Sequence, residues 1–363
     1  MKTLITIVRY LVGGLFIFSG IIKVNDPIGT AIKMEEYFAV FAGDIASFFS
    51  VFEPYALIIA VIMNVLEVVL GLALIMRWRV KLTMNLLSLM ILFFTFLTFY
   101  TAYFNKVTDC GCFGDAIKLT PWESFTKDVI LVVLIGFLYA NINKIKESTF
   151  ATKNIVIGST TVLTTLLCIY AIKHLPFIDF RAYKIGTTIQ EAMKPAESPN
   201  FEYTFKKDGK ETKSTQYLSK DDGYELVGYE ITNEEASTPK ITDFALWNES
   251  GDKTQEVLTG TKLLMISYYI EEADEEGLID IKNLNAALPN DIQAVILTSS
   301  SAEDVLKVKA RRGLKADFYY GDATVLKTII RSNPGLVLLK DGKVLGKWHH
   351  NDVPEVEDII ALL

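Results

Sequence analysis

The chain has 363 residues, half of them hydrophobic, with a formal net charge of −7 and a positive mean hydropathy. The acidic balance argues against a nucleic-acid binder held by phosphate contacts, and three cysteines are too few for a disulfide framework. The long apolar runs all lie before residue 175, which predicts a membrane part followed by a water-exposed part.

Five runs approach the roughly 20 apolar residues that cross a bilayer. They cover residues 4–22, 55–76, 82–104, 125–140 and 154–174, the fourth being the shortest. Arg77, Arg79 and Lys81 lie between the second and third runs, and Lys144, Lys146 and Lys153 between the fourth and fifth. Cytoplasmic loops collect Lys and Arg, so these loops and the N-terminus with Lys2 read as inside. Residues 23–54, residues 105–124 and everything after the fifth run then read as outside. The first run begins Met-Lys like a signal peptide but has no small-residue cleavage site, so it reads as an uncleaved anchor. The expected location is a bacterial inner membrane, with the C-terminal part in the periplasm.

Charge divides the chain in the same place. Residues 1–174 carry 14 Lys and Arg against 11 Asp and Glu, a net of +3. Residues 175–363 carry 22 against 32, a net of −10.

In the first run Gly20-Ile21-Ile22-Lys23 precedes Asn25-Asp26-Pro27, and the second run carries Asn64 and Glu67. Between the third and fourth runs stands Asp109-Cys110-Gly111-Cys112-Phe113-Gly114. With these residues, the stretch 4–142 resembles the DoxX/MauE group of membrane proteins. That resemblance implies a bundle of about four helices. It also implies a link to maturation of a disulfide-rich periplasmic dehydrogenase subunit, the role of MauE proteins.

Cys110 and Cys112 form a possible redox pair. Gly111 lacks a Cβ and helps the backbone bring two sulfurs together. So small a ring departs from relaxed disulfide geometry, and strained, exposed disulfides exchange readily. The other readings are free thiols or a local clip that shapes the loop. Asp109 would raise the thiol pKa by like-charge repulsion, and Lys106 could offset it. Two thiolates without a nearby His fall short of a structural zinc site, so no metal is expected. Cys168, in the fifth run, is a weak third candidate, roughly 9 Å from the outer end at 1.5 Å per residue.

Glu67 lies near the middle of an apolar run, where a carboxylate is costly and normally faces a partner inside the bundle. Asn64 is one turn earlier on the same helix face. Lys23 and Arg9 are the available counter-charges. The bland role is glue between helices; the sharper one is a proton or quinone site serving the thiols, quinone being the one cofactor considered. Residues 31–52 alternate aromatics with Glu35, Glu36 and Asp44. They read either as interfacial amphipathic helices or as a lid on the bundle.

Beyond the fifth run, residues 175–237 read as a linker and a β-rich subdomain, with Asp208-Gly209 and Asp222-Gly223 as hairpin turns. From residue 238 strands alternate with helices, as in a mixed α/β sheet. Strands are predicted over 241–248, 262–270, 293–298, 318–320, 334–340 and 344–348. Helices are predicted over 278–288, 302–313, 324–331 and 353–363. Ser332-Asn333-Pro334-Gly335, followed by Leu336-Val337-Leu338-Leu339-Lys340-Asp341-Gly342-Lys343, resembles a thioredoxin-like domain of the TlpA or peroxiredoxin-like kind over residues 239–363. The resemblance implies a cis bond before Pro334, beside the family's active site. Where that family has Cys-x-x-Cys, this chain has Glu271-Glu272-Ala273-Asp274. Thiol exchange needs a thiolate, so this domain is expected to bind or to support, with a groove marked by Asn333, Pro334 and Glu271. His349 and His350, beside Asp352, read as surface residues rather than a metal site.

The expected fold class is a five-span helical membrane bundle, a small β-rich subdomain and an extracytoplasmic α/β thioredoxin-like domain. Two functions fit. One is assistance to envelope protein biogenesis or thiol-disulfide exchange, with a client or partner held by the outer domain. The other is a non-enzymatic membrane subunit of an envelope complex with structural cysteines.

Overall fold

The computed structural model describes residues 1–107, 111, 113–147 and 152–363. The chain divides into two units, Met1–Arg181 and Ala182–Leu363.

The first unit is built of helices. Helix α1 (Lys2–Asn25) stops before Pro27, which opens α2 (Pro27–Asp44) at a position where its missing N–H is not needed. Asp26 caps α2 by accepting the Gly29 N–H at 2.8 Å. A 3-10 segment, Ser47–Tyr55, leads into α3 (Ala56–Met76). Left-handed backbone at Arg77 and Arg79 turns the chain into α4 (Val80–Phe104), and Asn105 at φ 52° ends that helix. Thr120 and Glu123 form a capping box at the start of α5 (Pro121–Ala140). Helix α6 (Thr152–Lys173) completes the unit.

Side-chain pairs fix the directions of these helices. Gly13 packs on Gly71 and Gly20 on Val68, so α1 and α3 are antiparallel. Tyr139 bonds Asn85 at 3.0 Å near one end of α4 and α5, and Thr98 bonds Asp128 at 3.0 Å near the other. Trp78 donates to Asn154 at 2.7 Å, which sets the start of α6 beside the end of α3. The bundle therefore has a basic end, with Arg77, Arg79 and Lys153, and a loop end, where α1 and α4 finish and α3 and α5 begin. Asn25 and Ile178 exchange two hydrogen bonds at 2.8 and 2.9 Å. This clasp holds the chain leaving α6 at the loop end. Val12, Phe16, Leu70, Met84, Leu87 and Ile135 form the core between α1, α3, α4 and α5.

Among the described residues, four helical segments are long and apolar enough to cross a membrane: Lys2–Asn25, Ser47–Met76, Val80–Phe104 and Thr152–Lys173. Five were expected. Helix α5 is the difference, because Glu123, Lys127 and Asp128 occupy its first turns and shorten its apolar run to residues 129–140. Helix α2 packs on the bundle rather than lying free. Met34, Tyr37, Phe38 and Phe41 are buried with Leu97 and Tyr100 of α4. Phe48, Val51 and Phe52 of the 3-10 segment stay exposed.

The second unit holds two sheets. After α7 (Ile189–Ala192), strands β1 (Phe201–Lys207), β2 (Lys210–Ser214) and β3 (Glu225–Ile231) form an antiparallel sheet in the order β2-β1-β3. Asp208 and Gly209 both have positive φ, the two-residue turn the sequence predicts. Asp222-Gly223 is not such a turn. It closes a 3-10 turn, Lys220–Asp222, and β3 then passes β2 to pair with β1.

The larger sheet follows α8 (Glu234–Ser237). Its strands are β4 (Leu246–Asn248), β5 (Gly251–Asp252), β6 (Thr261–Ile266), β7 (Ile292–Thr298), β8 (Asp317–Gly321), β9 (Gly335–Lys340) and β10 (Lys343–His349), in the order β10-β9-β6-β7-β8-β4-β5. Strands β6, β7 and β8 are parallel; β9 and β10 run against them. Between the strands lie α9 (Thr254–Val257), α10 (Glu275–Ala287), α11 (Ala302–Arg312) and α12 (Ala323–Ile329), and α13 (Val356–Ala361) ends the chain. Leu263 and Met265 of β6 pack with Leu278 and Ile281 of α10 and Val305 of α11. A strand covered in this way reads as a continuous apolar run, as 262–270 does. Residues 186–189 are hydrogen-bonded to β10 and its turn, so part of the linker is tied to the sheet.

Candidate functional site

The first candidate is the loop end of the bundle. Lys23, near the end of α1, forms an ion pair with Glu67 of α3. Both are buried, Glu67 to 1% exposure. The close approach at Gly20 makes this reach possible, since a Cβ there would stand 2.9 Å from the Val68 backbone nitrogen. Asn64, fully buried, donates to Lys23 O at 3.0 Å and to Thr30 Oγ1 at 3.3 Å. The Lys23 ammonium also stands 4.5 Å from the centre of the Phe94 ring of α4. Glu67 Oε2 and Asn64 Oδ1 have no hydrogen-bond partner among the described residues. The three intramembrane polar residues named from sequence thus form one buried group. Arg9, the other counter-charge considered, instead donates to the carbonyls of Leu74 and Ile75 at the end of α3. There it meets the negative end of a helix dipole.

A second buried polar group lies on α4. Thr98 donates to Asp128 at 3.0 Å, and Lys127 pairs with the same carboxylate at 2.9 Å. Thr101 and Tyr37 share a 2.7 Å hydrogen bond. The sequence reading missed Asp128. A carboxylate in the first turns of an apolar helix was the signal available.

Cys110 and Cys112 lie outside the described residues, as does Asp109. Their neighbours are described. Val107 is fully buried in the cluster with Tyr37 and Tyr100. Gly111 takes a left-handed φ of 63°, where a side chain is disfavoured; a Cβ there would also stand 3.3 Å from Lys33 of α2. Phe113 packs on Phe18 of α1 with ring centres 5.7 Å apart, and the Lys127 ammonium stands 5.0 Å from the Phe113 ring. Buried apolar side chains therefore bracket the Cys-Gly-Cys stretch on both sides. Lys106 is committed to Asp44, whose carboxyl is held below the usual range by Lys106 first and by Tyr100 second. Cys168 is fully buried on α6 among Val24, Val65 and Val68, an apolar setting that shields its sulfur from water.

In the second unit the groove residues separate. Asn333 accepts from Ser267 Oγ at 2.7 Å, donates to Tyr269 O at 2.9 Å, and its carbonyl accepts the Asp274 N–H at 3.0 Å. It is thus laced to the segment after β6. The Asn333–Pro334 bond is cis, and Pro334 is buried. Glu271 turns away and accepts from Ser300 Oγ at 2.6 Å, beyond β7.

The histidines are not surface residues, contrary to the sequence reading. Pairing of His349 with Gly335 carries it into the sheet, where it is 3% exposed. His350 is half-buried, and both its backbone N–H and its Nδ1 bond Ser332 Oγ, at 3.0 and 2.9 Å. The two imidazole rings stand 4.0 Å apart. Burial lowers the His350 pKa, against a smaller raising effect of Asp274. A 3-10 turn, His350–Asp352, thereby rests on the start of α10, where a Gly277 Cβ would come within 2.6 Å of His350. No group of three or more His, Cys, Asp or Glu with metal-binding geometry occurs among the described residues.

No curated protein and no solved structure matches the chain. Residues 1–141, from the start of α1 to the end of α5, match the family model described as Methylamine utilisation protein MauE.

Proposed function

We propose that this is a membrane accessory protein of envelope protein biogenesis, carrying an exchangeable dithiol at Cys110 and Cys112. The match of residues 1–141 to the Methylamine utilisation protein MauE model supports a membrane accessory role. The observation that carries the reading is the packing of the residues that flank the Cys-Gly-Cys stretch in sequence. Val107 and Phe113 pack on the bundle, at the end where Asn25 clasps Ile178 and the chain leaves α6. Packing of both flanking residues supports a pair of sulfurs presented to a client from that end.

In this reading one thiolate attacks a client disulfide and forms a mixed disulfide, releasing one client thiolate. The second cysteine attacks the mixed bond, which leaves a reduced client and an oxidised Cys110–Cys112 pair. The reverse sequence oxidises a client dithiol. Electrons and protons balance between the two partners in either direction.

The second unit has no cysteine. Its parallel β6-β7-β8 order with antiparallel β9 and β10 supports a thioredoxin-like reading. In that reading it acts as a binding module. Helix α5 serves as a further span, its Asp128 neutralised inside the bundle by Lys127 and Thr98. The basic end then faces the cytoplasm and the loop end the periplasm.

Alkylation of cells under acid quench tests the thiol reading. The pair should be found partly oxidised, and Cys112→Ser or Cys110→Ser should trap a mixed disulfide with a client. A pair that is always reduced, or a double Cys→Ser protein that works normally, would leave the cysteines structural and make the protein a non-enzymatic subunit of an envelope complex.

A further inference from the structure

The three-stranded sheet has two unlike edges. Strand β2 reads Lys-Glu-Thr-Lys-Ser, short and charged, as natural sheets guard an edge against further pairing. Strand β3 is longer and less charged, and its pairing with β1 is regular except where Val227 is skipped in the register. It reads Glu-Leu-Val-Gly-Tyr-Glu-Ile and is exposed along almost its whole length. Leu226, Val227, Tyr229 and Ile231 are 41, 55, 60 and 37% exposed. One edge of β3 pairs with β1, and among the described residues no strand pairs with the other.

Register gives the two faces different chemistry. Ile231, Tyr229 and Leu226 stand opposite Phe201, Tyr203 and Phe205 and form an apolar face. On the other face Glu230 stands opposite Glu202. Like charges in that position repel, and a single lysine, Lys213 of β2, serves both carboxylates, at 2.6 Å from Glu202 and 3.4 Å from Glu230. Glu230 is the more weakly served and the nearer to the free edge. Glu225 adds a second carboxylate at the start of the same strand, where it stands opposite Lys206 of β1.

We infer that β3 is a docking edge for an extended segment of a partner polypeptide, one with apolar side chains on one face and Lys or Arg on the other. Backbone groups of the free edge supply the affinity common to strand addition, and alternate side chains supply the choice of partner. Apolar residues of the incoming strand extend the Leu226, Tyr229 and Ile231 face. A basic residue on the opposite face completes the charge ladder that Lys213 leaves short at Glu230. The acidic charge of the C-terminal part, −10 over residues 175–363, favours a basic segment over a second copy of this chain. The inference rests on the reading of the second unit as a binding module and not on the cysteines.

The test uses the full chain in lipid nanodiscs and a labelled peptide, Lys-Val-Thr-Val-Thr-Val-Lys. Fluorescence polarisation should show saturable binding. Hydrogen exchange should show new protection in residues 225–231. Proline in place of the central Val should abolish binding. Val227→Lys, on an exposed position, should weaken binding several-fold without changing the unfolding temperature. The double change Glu225→Lys with Glu230→Lys should reverse the preference toward a peptide with Glu at both ends. Protection confined to residues 267–274 and 333 would overturn the β3 assignment while leaving the binding-module reading in place. Absence of binding would overturn both. Self-association that protects 225–231 without peptide would replace the partner by a second copy.

Discussion

Gly13 and Gly71 meet where α1 crosses α3: a Cβ on Gly13 would stand 2.8 Å from Gly71 O, and one on Gly71 would stand 2.7 Å from Gly13 O. Small residues let membrane helices approach this closely. Gly20 continues the contact toward the loop end, and Lys23 and Glu67 follow from it. Replacement of Gly71 by Leu should therefore cost about 1–3 kcal/mol through overpacking. Gly14→Leu should cost much less, because a Cβ at Gly14 meets nothing within 4 Å. Thermal unfolding in detergent compares the two. Equal losses would mean that the α1–α3 crossing is not as close as described.

Glu67 is expected to matter more when removed alone than together with its partner. Glu67→Ala leaves the Lys23 ammonium buried without a counter-charge, which typically costs about 3–5 kcal/mol. Lys23→Met with Glu67→Leu should recover much of that loss, since an apolar pair of similar volume needs no desolvation. A double-mutant cycle on unfolding reads the coupling. With Lys23→Met, Glu67→Leu and the two combined as its arms, a double change that costs the sum of the two single changes would mean that the pair does not couple.

Much of this architecture was legible in the chain because each signal was local. Four of the five apolar runs are long enough to span by themselves. The covered strands β6, β7 and β9 read as apolar runs, and Asp208-Gly209 and Asp341-Gly342 mark two-residue turns through their positive φ. What the sequence did not show depends on distant partners. The pairing of β3 with β1 rather than β2 follows from matching Tyr229 to Tyr203 across more than twenty residues. Burial of α2 depends on α4 offering Leu97 and Tyr100. Arg9 and Lys23 were equally eligible partners for Glu67 until the helix crossing sent Arg9 to the end of α3. His349 and His350 looked like surface residues because polarity was the only local signal. Their burial comes from Gly335 and Ser332, which only the folded sheet brings near.

Topology is the third expectation. The Asn25–Ile178 clasp and the packing of Phe113 on Phe18 set Phe113 and the exit from α6 at one end of the bundle. Single cysteines in place of Ile117 and Lys184, in a Cys-free background, should react with an impermeant maleimide from the same side of the membrane. Cysteines in place of Arg79 and Lys146 should react only from the other side. Opposite labelling of positions 117 and 184 would break the bundle arrangement.

The last expectation concerns pH. His350 has a folded pKa below its ordinary value of 6.5, with burial the larger cause. In the unfolded chain the imidazole takes up a proton as pH falls through about 6.5. In the fold it resists until a lower pH, held between Ser332 Oγ and the start of α10. The unfolded state thus binds more protons in that window, so stability must fall with falling pH. The contribution is fully present above about pH 6.5 and is lost as pH drops toward the folded pKa. Asp274 and Asp352 both favour the protonated ring and limit the shift. His350→Gln keeps a polar group near Ser332 and removes the titration. The unfolding temperature of the second unit should fall between pH 7.5 and 5 in the parent protein. It should fall less steeply in the variant, with the two curves converging at the acid end. Parallel curves over the whole range would assign the pH dependence to other groups and leave His350 a packing residue.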